Sequence, residues 1–267
     1  MRVVVTDAEV TLADVLSLRL AIDEPLSAGS ELVLRQRGTS VEHRLALGAT
    51  AARARDATLA FSLAPLPLSP GRWDTYVTQD GSRTRLHSVD PGFSLDHIDA
   101  YALSRRTMSY RAYRTRNGFL ALKVDEAEPV AEVRAVWFRE GRFEVTGLLA
   151  YTGLDDDESR HEARLSLRHD ASGTALSSVA TVQGVRFHAA LSLCDLCDVA
   201  ADDPGQPTAW APSLEIDDLP APLRLASRLD DVNGKRRRLH YPATKVDGVP
   251  IRPRYTADDE LTIEVGG

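Results

Sequence analysis

The chain has 267 residues, of which 43% are hydrophobic and 27% charged, and its formal net charge is −7. This composition is that of a soluble globular protein, long enough for one large domain or two ordinary ones, and it excludes a disordered chain. The acidic balance argues against nucleic acid as a partner, because binding to phosphate backbones needs a basic surface.

We expect neither a signal peptide nor a membrane span. The segment Met1–Asp7 lacks the apolar core of a signal peptide, and no run approaches the ~20 apolar residues of a membrane span. With only two cysteines there is no disulfide framework, so we expect a cytoplasmic protein. Among 32 basic residues only three are lysine, an arginine bias typical of a GC-rich genome.

Apolar and polar residues alternate with a period of two through the first half of the chain. The alternation is clearest from Leu16 to Ile22, and it returns around Phe61 and Trp73. This period indicates strands with one buried face, and Asp80-Gly81 is a strong signal for a tight turn between two of them. Short strands separated by Gly, Pro and Asp predict an all-β sandwich or barrel.

Residues 90–112 interrupt the alternation. Leu95, Ile98 and Tyr101 have the spacing of one face of a short helix, which Ser94 would cap. The polar segment Asp125–Pro129 then has the composition of a linker. These features predict two domains, residues 1–126 and 130–267.

The second half repeats the pattern of the first. The alternation at Ala163–Leu167 is the counterpart of Leu32–Leu34, and Ala189–Leu196 is that of Leu59–Leu66. Residues 200–222, rich in Asp, Pro and Gly, are interpreted as an insertion, because loops tolerate extra length better than strands do.

Two short motifs also occur twice. Gly81–His87 reads GSRTRLH and Gly234–His240 reads GKRRRLH, while Tyr113–Val124 and Tyr255–Val265 both lead through a polar turn into Leu-x-(Leu/Ile)-x-Val. We therefore predict an all-β fold made of two tandem β-sandwich domains related by internal duplication.

Gly71-Arg72-Trp73-Asp74, followed by Tyr113-x-Thr115-x-x-Gly118-x-Leu120, resembles the immunoglobulin-like β-sandwich modules attached to actinobacterial glycosyl- and CDP-glycerol transferases of the teichoic-acid type. The resemblance implies two immunoglobulin-like domains that support a polymer-building transferase without catalysis, by binding carbohydrate or by oligomerising. The second copy departs from the pattern, since Leu225 stands where Trp73 would be expected and no glycine precedes Leu261.

Arginine side chains are the first candidates for ligand binding. Arg83 with Arg85, and Arg236 to Arg238, are each expected on a hairpin, and their bidentate hydrogen bonds would suit a glycerol-phosphate polymer or a nucleotide-diphosphate donor. Alternating arginines on an outer strand face also keep exposed strands soluble, so this second explanation stays open.

Of the three tryptophans, Trp73 and Trp137 lie in alternating strands and are expected in the core. Trp210, between Pro207 and Pro212, is expected to be an exposed ring that stacks on sugars. The predicted ligand-binding residues are therefore Arg83, Arg85, Trp210, Arg236, Arg237 and Arg238.

Signals for catalysis, metals or cofactors are weak. Cys194 and Cys197 have CxxC spacing, but no second pair completes a zinc site and the motif is expected at the end of a strand, not at a helix N-terminus, so we interpret it as structural. The acidic run Asp155–Glu158 is interpreted as a solvated loop. No motif for nucleophilic catalysis is present, and we predict no catalytic residue, metal or cofactor.

We conclude that the sequence favours a non-catalytic accessory module, which binds a glycan or glycerophosphate polymer or assembles beside a cell-envelope glycosyl- or glycerophosphotransferase. Two alternatives stay open: an enzyme of sugar or natural-product metabolism with a site at the domain junction, and a purely oligomerising protein whose apolar strand faces meet in a symmetric homo-oligomer.

Overall fold

The computed structural model describes residues 3–48, 56–89, 99–100, 103, 106–169, 172–200, 207–230, 232 and 234–266. Strands dominate this part of the chain, which confirms the all-β prediction. The residues fall into two compact units, the first within 1–96, 106–127 and 230–233 and the second within 97–105, 128–229 and 234–267. The helix expected around Leu95–Ala102 lies mostly outside the described residues.

The first unit contains two sheets. Their strands are β1 (Val3–Val10), β2 (Val15–Ile22), β3 (Glu31–Gln36), β4 (Glu42–Ala46), β5 (Asp56–Ser62), β6 (Gly71–Gln79), β7 (Ser82–Arg85), β8 (His87–Ser88), β9 (Met108–Arg114) and β10 (Leu120–Glu126). One sheet has the order β5-β2-β1-β8, and the other has the order β4-β3-β6-β10-β9 with β7 paired to β6.

The period-two pattern of β2 places its apolar side chains in the core of the first unit. Leu16, Leu18, Leu20 and Ile22 are all buried, and so is Trp73 on β6. Burying side chains of this size stabilises a fold by about 1.5–3 kcal/mol each. The tight turn between β6 and β7 is also confirmed, since Asp80 and Gly81 both have positive φ, as a type I′ hairpin requires.

The second unit is one continuous sheet with two short helices. Its strands are β11 (Val130–Arg139), β12 (Arg142–Ala150), β13 (Arg160–His169), β14 (Ala175–Gln183), β15 (Arg186–Ser192), β16 (Thr208–Ile216), β17 (Leu223–Ala226), β18 (Thr244–Val246), β19 (Val249–Tyr255) and β20 (Leu261–Val265), and its helices are α1 (Leu193–Ala200) and α2 (Lys235–Arg238). The strand order is β13-β14-β15-β12-β11-β17-β16-β20-β19-β18, and β13 also pairs with β16. That last pairing closes seven of the strands into a barrel.

The two units share one strand order. The series β5-β2-β1-β8 corresponds to β15-β12-β11-β17, and β4-β3-β6-β10-β9 corresponds to β14-β13-β16-β20-β19. The units differ in that β14 pairs with β15, and β16 with β17, which joins the two series in the second unit. In the first unit no pairing joins β4 to β5 or β6 to β8 among the described residues, so its two sheets stay separate.

Local details repeat along with the order. In each unit the first strand along the chain carries a register shift, between Val5 and Asp7 in β1 and between Val133 and Ala135 in β11. In the closing hairpins, Thr115 and Thr256 each accept a backbone N–H from the residue four positions on, at 3.0 and 3.2 Å, through their side-chain oxygens.

Residues 200–222 are not an insertion. They contain β16, which pairs with β13 along one edge and with β17 and β20 along the other. The prolines around Trp210 indicated a loop, but the alternation of buried Thr208, Trp210, Leu214 and Ile216 is that of a strand. Pro212 lies between the part of β16 that pairs with β20, residues 208–210, and the part that pairs with β17, residues 213–214, so its missing N–H interrupts neither of these two ladders.

Candidate functional site

Arg83 and Arg85, the two predicted ligand-binding arginines of the first unit, form ion pairs with carboxylates of the same unit. The Arg83 Nη2 lies 2.9 Å from Glu42 Oε2, and the Arg85 Nη2 lies 2.6 Å from Asp74 Oδ1. Arg83 also stacks over the Tyr76 ring, with its Cζ 4.3 Å from the ring centroid. Hydrogen bonds from Arg44 and Arg83 hold the pKa of Glu42 below its usual value, so the carboxylate of this ion pair stays charged.

The second arginine stretch does not form the predicted hairpin. Gly234 has a left-handed φ of 73°, and Lys235–Arg238 form the single helical turn α2. The Arg237 N–H donates to the Gly234 carbonyl at 3.1 Å, and the Leu239 N–H donates to the Lys235 carbonyl at 2.9 Å. Lys235–Arg238 are four basic residues in a row, so this segment lacks the alternation of apolar and polar residues that a strand needs. Gly234, with its positive φ, lets the chain enter a helical turn instead.

The turn is anchored at its first residue. Lys235 is 1% exposed, and its backbone N–H donates to the Asp259 carboxylate at 2.9 Å. Asp259 is itself buried in the closing hairpin between β19 and β20, so α2 is attached to a regular part of the sheet. The three arginines that follow are exposed.

None of Arg236, Arg237 and Arg238 forms a salt bridge or a side-chain hydrogen bond with a residue in the described part of the chain. Some exposed arginines of the second unit are paired, since Arg252 and Arg254 on β19 both contact the Glu264 carboxylate, but Arg142, Arg160 and Arg168 form no ion pair among the described residues either. From Val232 to Val246 the chain carries five cationic residues and no acidic one. Arg236, Arg237 and Arg238 therefore present positive charge that no described carboxylate pairs with.

Trp210 is buried, so the prediction of an exposed ring for sugars was wrong. It is 1% exposed, its Nε1–H donates to Thr208 Oγ1 at 3.1 Å, and the His169 ring stacks on it with centroids 5.2 Å apart. Its strand position corresponds to that of Trp73, which is also buried and has the His43 ring at 5.4 Å. Trp210, not Leu225, is thus the counterpart of Trp73.

Trp137 differs from expectation in the opposite sense, because 39% of it is exposed while Trp73 is buried as predicted. The sequence signal for both was membership of an alternating strand. That signal gives the period of a strand but not which of its two faces meets the core.

The cysteines begin a helix instead of ending a strand. The Ser192 hydroxyl accepts the Asp195 backbone N–H at 3.3 Å, as an N-cap does, and Cys194 and Cys197 lie on α1. Cys194 is exposed and Cys197 is buried. Burial raises the pKa of the Cys197 thiol, and Asp247 raises it further, which is the opposite of what a reactive thiolate needs.

The acidic loop uses its carboxylates locally. Asp157 accepts the Ser159 backbone N–H and hydroxyl, both at 2.9 Å, and this bonding lowers the pKa of Asp157. Asp156 pairs with Arg186 at 3.1 Å. Among the described residues, no group of three or more His, Cys, Asp or Glu side chains could hold a metal ion.

No helix in the described part of the chain is long and apolar enough to cross a membrane. No protein-family model matches the sequence, and no curated protein matches it. Solved structures give similarity only at low scores.

The structure of S. aureus TarS aligns with 11% identity and a TM-score of 0.38, over 70% of this chain and 34% of that one. Pullulanase from Anoxybacillus sp. LM18-11 aligns with 10% identity and a TM-score of 0.24, over 78% of this chain and 23% of that one. The FN1-FN3 domains of chicken CNTN1 align with 10% identity and a TM-score of 0.21, over 80% and 62%. The chain spans about a third of the TarS chain, and alignments at these scores assign it neither a family nor an activity.

Proposed function

We propose that this chain is a non-catalytic accessory module that binds an anionic, phosphate-bearing polymer of the cell envelope and works beside a glycosyl- or glycerophosphotransferase. The observation that carries the proposal is the α2 turn, where Arg236, Arg237 and Arg238 are exposed and form no ion pair among the described residues. The motif resemblance to modules of teichoic-acid-type transferases supports the choice of polymer.

Guanidinium groups suit phosphate because their planar donors match its oxygens in bidentate pairs. Holding three of them without carboxylate partners in a protein of net charge −7 leaves a local positive surface that a polyanion would neutralise. The buried Lys235 and its backbone bond to Asp259 fix the turn, so little order has to be gained on binding.

Arg83 and Arg85, which the sequence made candidates, stand outside the proposed site. Each already contacts a carboxylate, so binding a phosphate there would require breaking an ion pair. The proposal therefore ranks the α2 arginines first, and it makes the β7 arginines a matched control for the loss of positive charge.

We also propose that the units are tandem immunoglobulin-like sandwiches that arose by duplication, with domains at 1–126 and 130–267. The shared strand order, the register shifts in β1 and β11 and the matching threonine turns support this. In the second unit, hairpin β14–β15 would have closed the ancestral sandwich into a barrel.

The test is binding to poly(glycerol phosphate), measured by calorimetry at low and high salt, for the parent chain and for Arg236→Ala combined with Arg238→Ala. An arginine near an anionic surface contributes about 1 kcal/mol, so the double variant should bind about thirtyfold more weakly at low salt. Salt should weaken the parent more than the variant. Melting temperatures should agree, because both side chains are exposed.

Arg83→Ala combined with Arg85→Ala removes the same charge from the first unit and should bind as the parent does. Equal affinity of the α2 variant and the parent would refute the proposal. A single dimer or trimer with no polymer binding would favour the oligomerising alternative, and turnover of a sugar nucleotide by the chain alone would favour the enzyme.

A further inference from the structure

Trp137 is the exposed one of the three tryptophans. On β11, Val136 and Phe138 pack against the core of the second unit, so Trp137, between them, points to the outer face of the barrel. It is 39% exposed, whereas Trp73 and Trp210 are 0% and 1% exposed. Part of this large aromatic side chain is therefore open to solvent.

The fold itself does not call for an aromatic residue at this place. The register shift lies between Val5 and Asp7 in β1 and between Val133 and Ala135 in β11, so two residues after each shift the equivalent positions are Glu9 and Trp137. Glu9 shows that the first unit builds the same strand with a charged residue there. The exposed ring is thus a feature of the second unit alone.

Two charged side chains, Arg139 and Glu144, lie beside the Trp137 ring and are paired with each other. Glu144 lies directly opposite Trp137 in the β11–β12 pair, and Phe143 and Val145 on either side of it are fully buried, so Glu144 is on the outer face, where it is only 9% exposed while the Arg139 side chain is 58% exposed. Its Oε2 is 2.7 Å from Arg139 Nε and 2.5 Å from Arg139 Nη2. The Arg139 Cζ is 5.3 Å from the centroid of the Trp137 ring. Hydrogen bonds from Arg139 hold the pKa of Glu144 below its usual value.

The row of residues that continues across the outer face restricts what can bind. Glu144 pairs with Ala190 on β15, and the 82% exposed Val179 lies on β14 one residue beyond Ala180, the last β14 residue that pairs with β15. The charged Glu144 separates the ring from these small apolar side chains, so the apolar surface is not continuous. A stable protein interface needs about 800 Å² on each partner, far more than one indole ring supplies.

We propose that Trp137 is a stacking platform for one pyranose ring of an uncharged glycan, with the Arg139–Glu144 pair as its hydrogen-bonding partner. Arg139 lies over one face of the indole ring, so the pyranose stacks on the opposite face. The C–H groups on one face of a pyranose carry partial positive charge, and the face of the indole ring is negative. The guanidinium donates and the carboxylate accepts, which matches sugar hydroxyls that do both. The pair has no net charge, so it selects a neutral sugar over a phosphate.

This site deepens the proposed function, since it adds a sugar-ring contact to the binding of the envelope polymer, but it uses none of the α2 arginines. The two ideas can therefore fail separately. Phosphate binding is tested with poly(glycerol phosphate), and the stacking site is tested with neutral oligosaccharides.

The experiment titrates the parent chain with maltohexaose, cellohexaose and chitohexaose and follows acrylamide quenching of tryptophan emission. Because the other two rings are buried, quenching reports mainly Trp137. At least one hexasaccharide should protect the ring in a saturable way. Trp137→Ala should weaken that binding about tenfold or more, as measured by calorimetry, and Trp137→Tyr should restore most of it because it keeps an aromatic face.

Two further variants separate this site from its surroundings. Val179→Thr changes an exposed side chain on β14 and should bind as the parent does. The same holds for Arg236→Ala combined with Arg238→Ala. Protection by none of the three hexasaccharides would overturn the proposal. So would equal affinity of Trp137→Ala and the parent, or a loss in the α2 variant equal to that in Trp137→Ala.

Discussion

The Glu132 carboxylate joins the first strand of the second unit to the segment that leads to α2. It is 1% exposed, and its two oxygens accept the backbone N–H groups of Arg228 at 2.8 Å and Leu229 at 3.0 Å. These acceptor bonds come from 96 and 97 residues away along the chain. Glu132→Gln keeps the size of the side chain but replaces one acceptor oxygen with an N–H₂ donor.

The magnitude follows from the two bonds. One backbone N–H would face a donor and lose its acceptor, and a buried donor without a partner costs about 1–3 kcal/mol. The other bond would pass from a charged acceptor to a neutral one, which costs about 1 kcal/mol more. We expect Glu132→Gln to lower the free energy of unfolding of the second unit by about 2–4 kcal/mol.

Denaturant unfolding measures this change, with hydrogen exchange at the Arg228 and Leu229 amides as a local readout. Both amides should exchange faster in the variant. Glu162→Gln on β13 is the control, because Glu162 is exposed, and it should stay within about 0.5 kcal/mol of the parent. A change below about 1 kcal/mol in Glu132→Gln, with unaltered exchange at both amides, would refute the reasoning.

Three other predictions follow from local geometry. A Cβ at Gly147 would lie 2.0 Å from the Glu132 carbonyl oxygen. Gly147→Ala should therefore lower the free energy of unfolding by about 3 kcal/mol or prevent folding, which melting curves would show. An unchanged melting temperature would contradict this. Because the pKa of Cys197 is raised, Ellman's reagent should label Cys194 in the native protein and Cys197 only after unfolding; equal native rates would be the contrary result. Because the pKa of Glu42 is lowered, its ion pairs stabilise the first unit above the unfolded pKa of about 4.3, and this stabilisation is lost as pH falls through the lower folded pKa. The difference in melting temperature between the parent and Glu42→Gln should therefore disappear in acid. A difference that stays constant with pH would contradict this.

Period-two alternation predicted much of the fold, because one buried face leaves its mark on the sequence of a strand. The β2 strand and the β6–β7 hairpin are where the pattern placed them. The pattern failed where a strong local signal competed with it. At β16 the flanking prolines indicated a loop, although the strand pairs on both edges. At α2 a repeated motif indicated a second hairpin, although Gly234 starts a helical turn.

The candidate site was less accessible from sequence, because composition shows charge but not pairing. Arg83, Arg85 and Arg236 to Arg238 look alike in the sequence. The first two contact carboxylates 41 and 11 residues away, whereas the last three contact no carboxylate among the described residues. Trp137 and Trp210 also exchanged their expected roles. Alternation cannot tell the outer face of a strand from the inner one at Trp137, and the prolines beside Trp210 indicated a loop where there is a strand.

Amide chemical shifts of the ¹⁵N-labelled chain during titration with poly(glycerol phosphate) test the central claim most directly. The account predicts that the largest, saturable shifts fall on residues 234–240, that they fade at high salt, and that amides beside Arg83 and Arg85 stay in place. Shifts centred on β7, or no saturable shift anywhere at low salt, would contradict it.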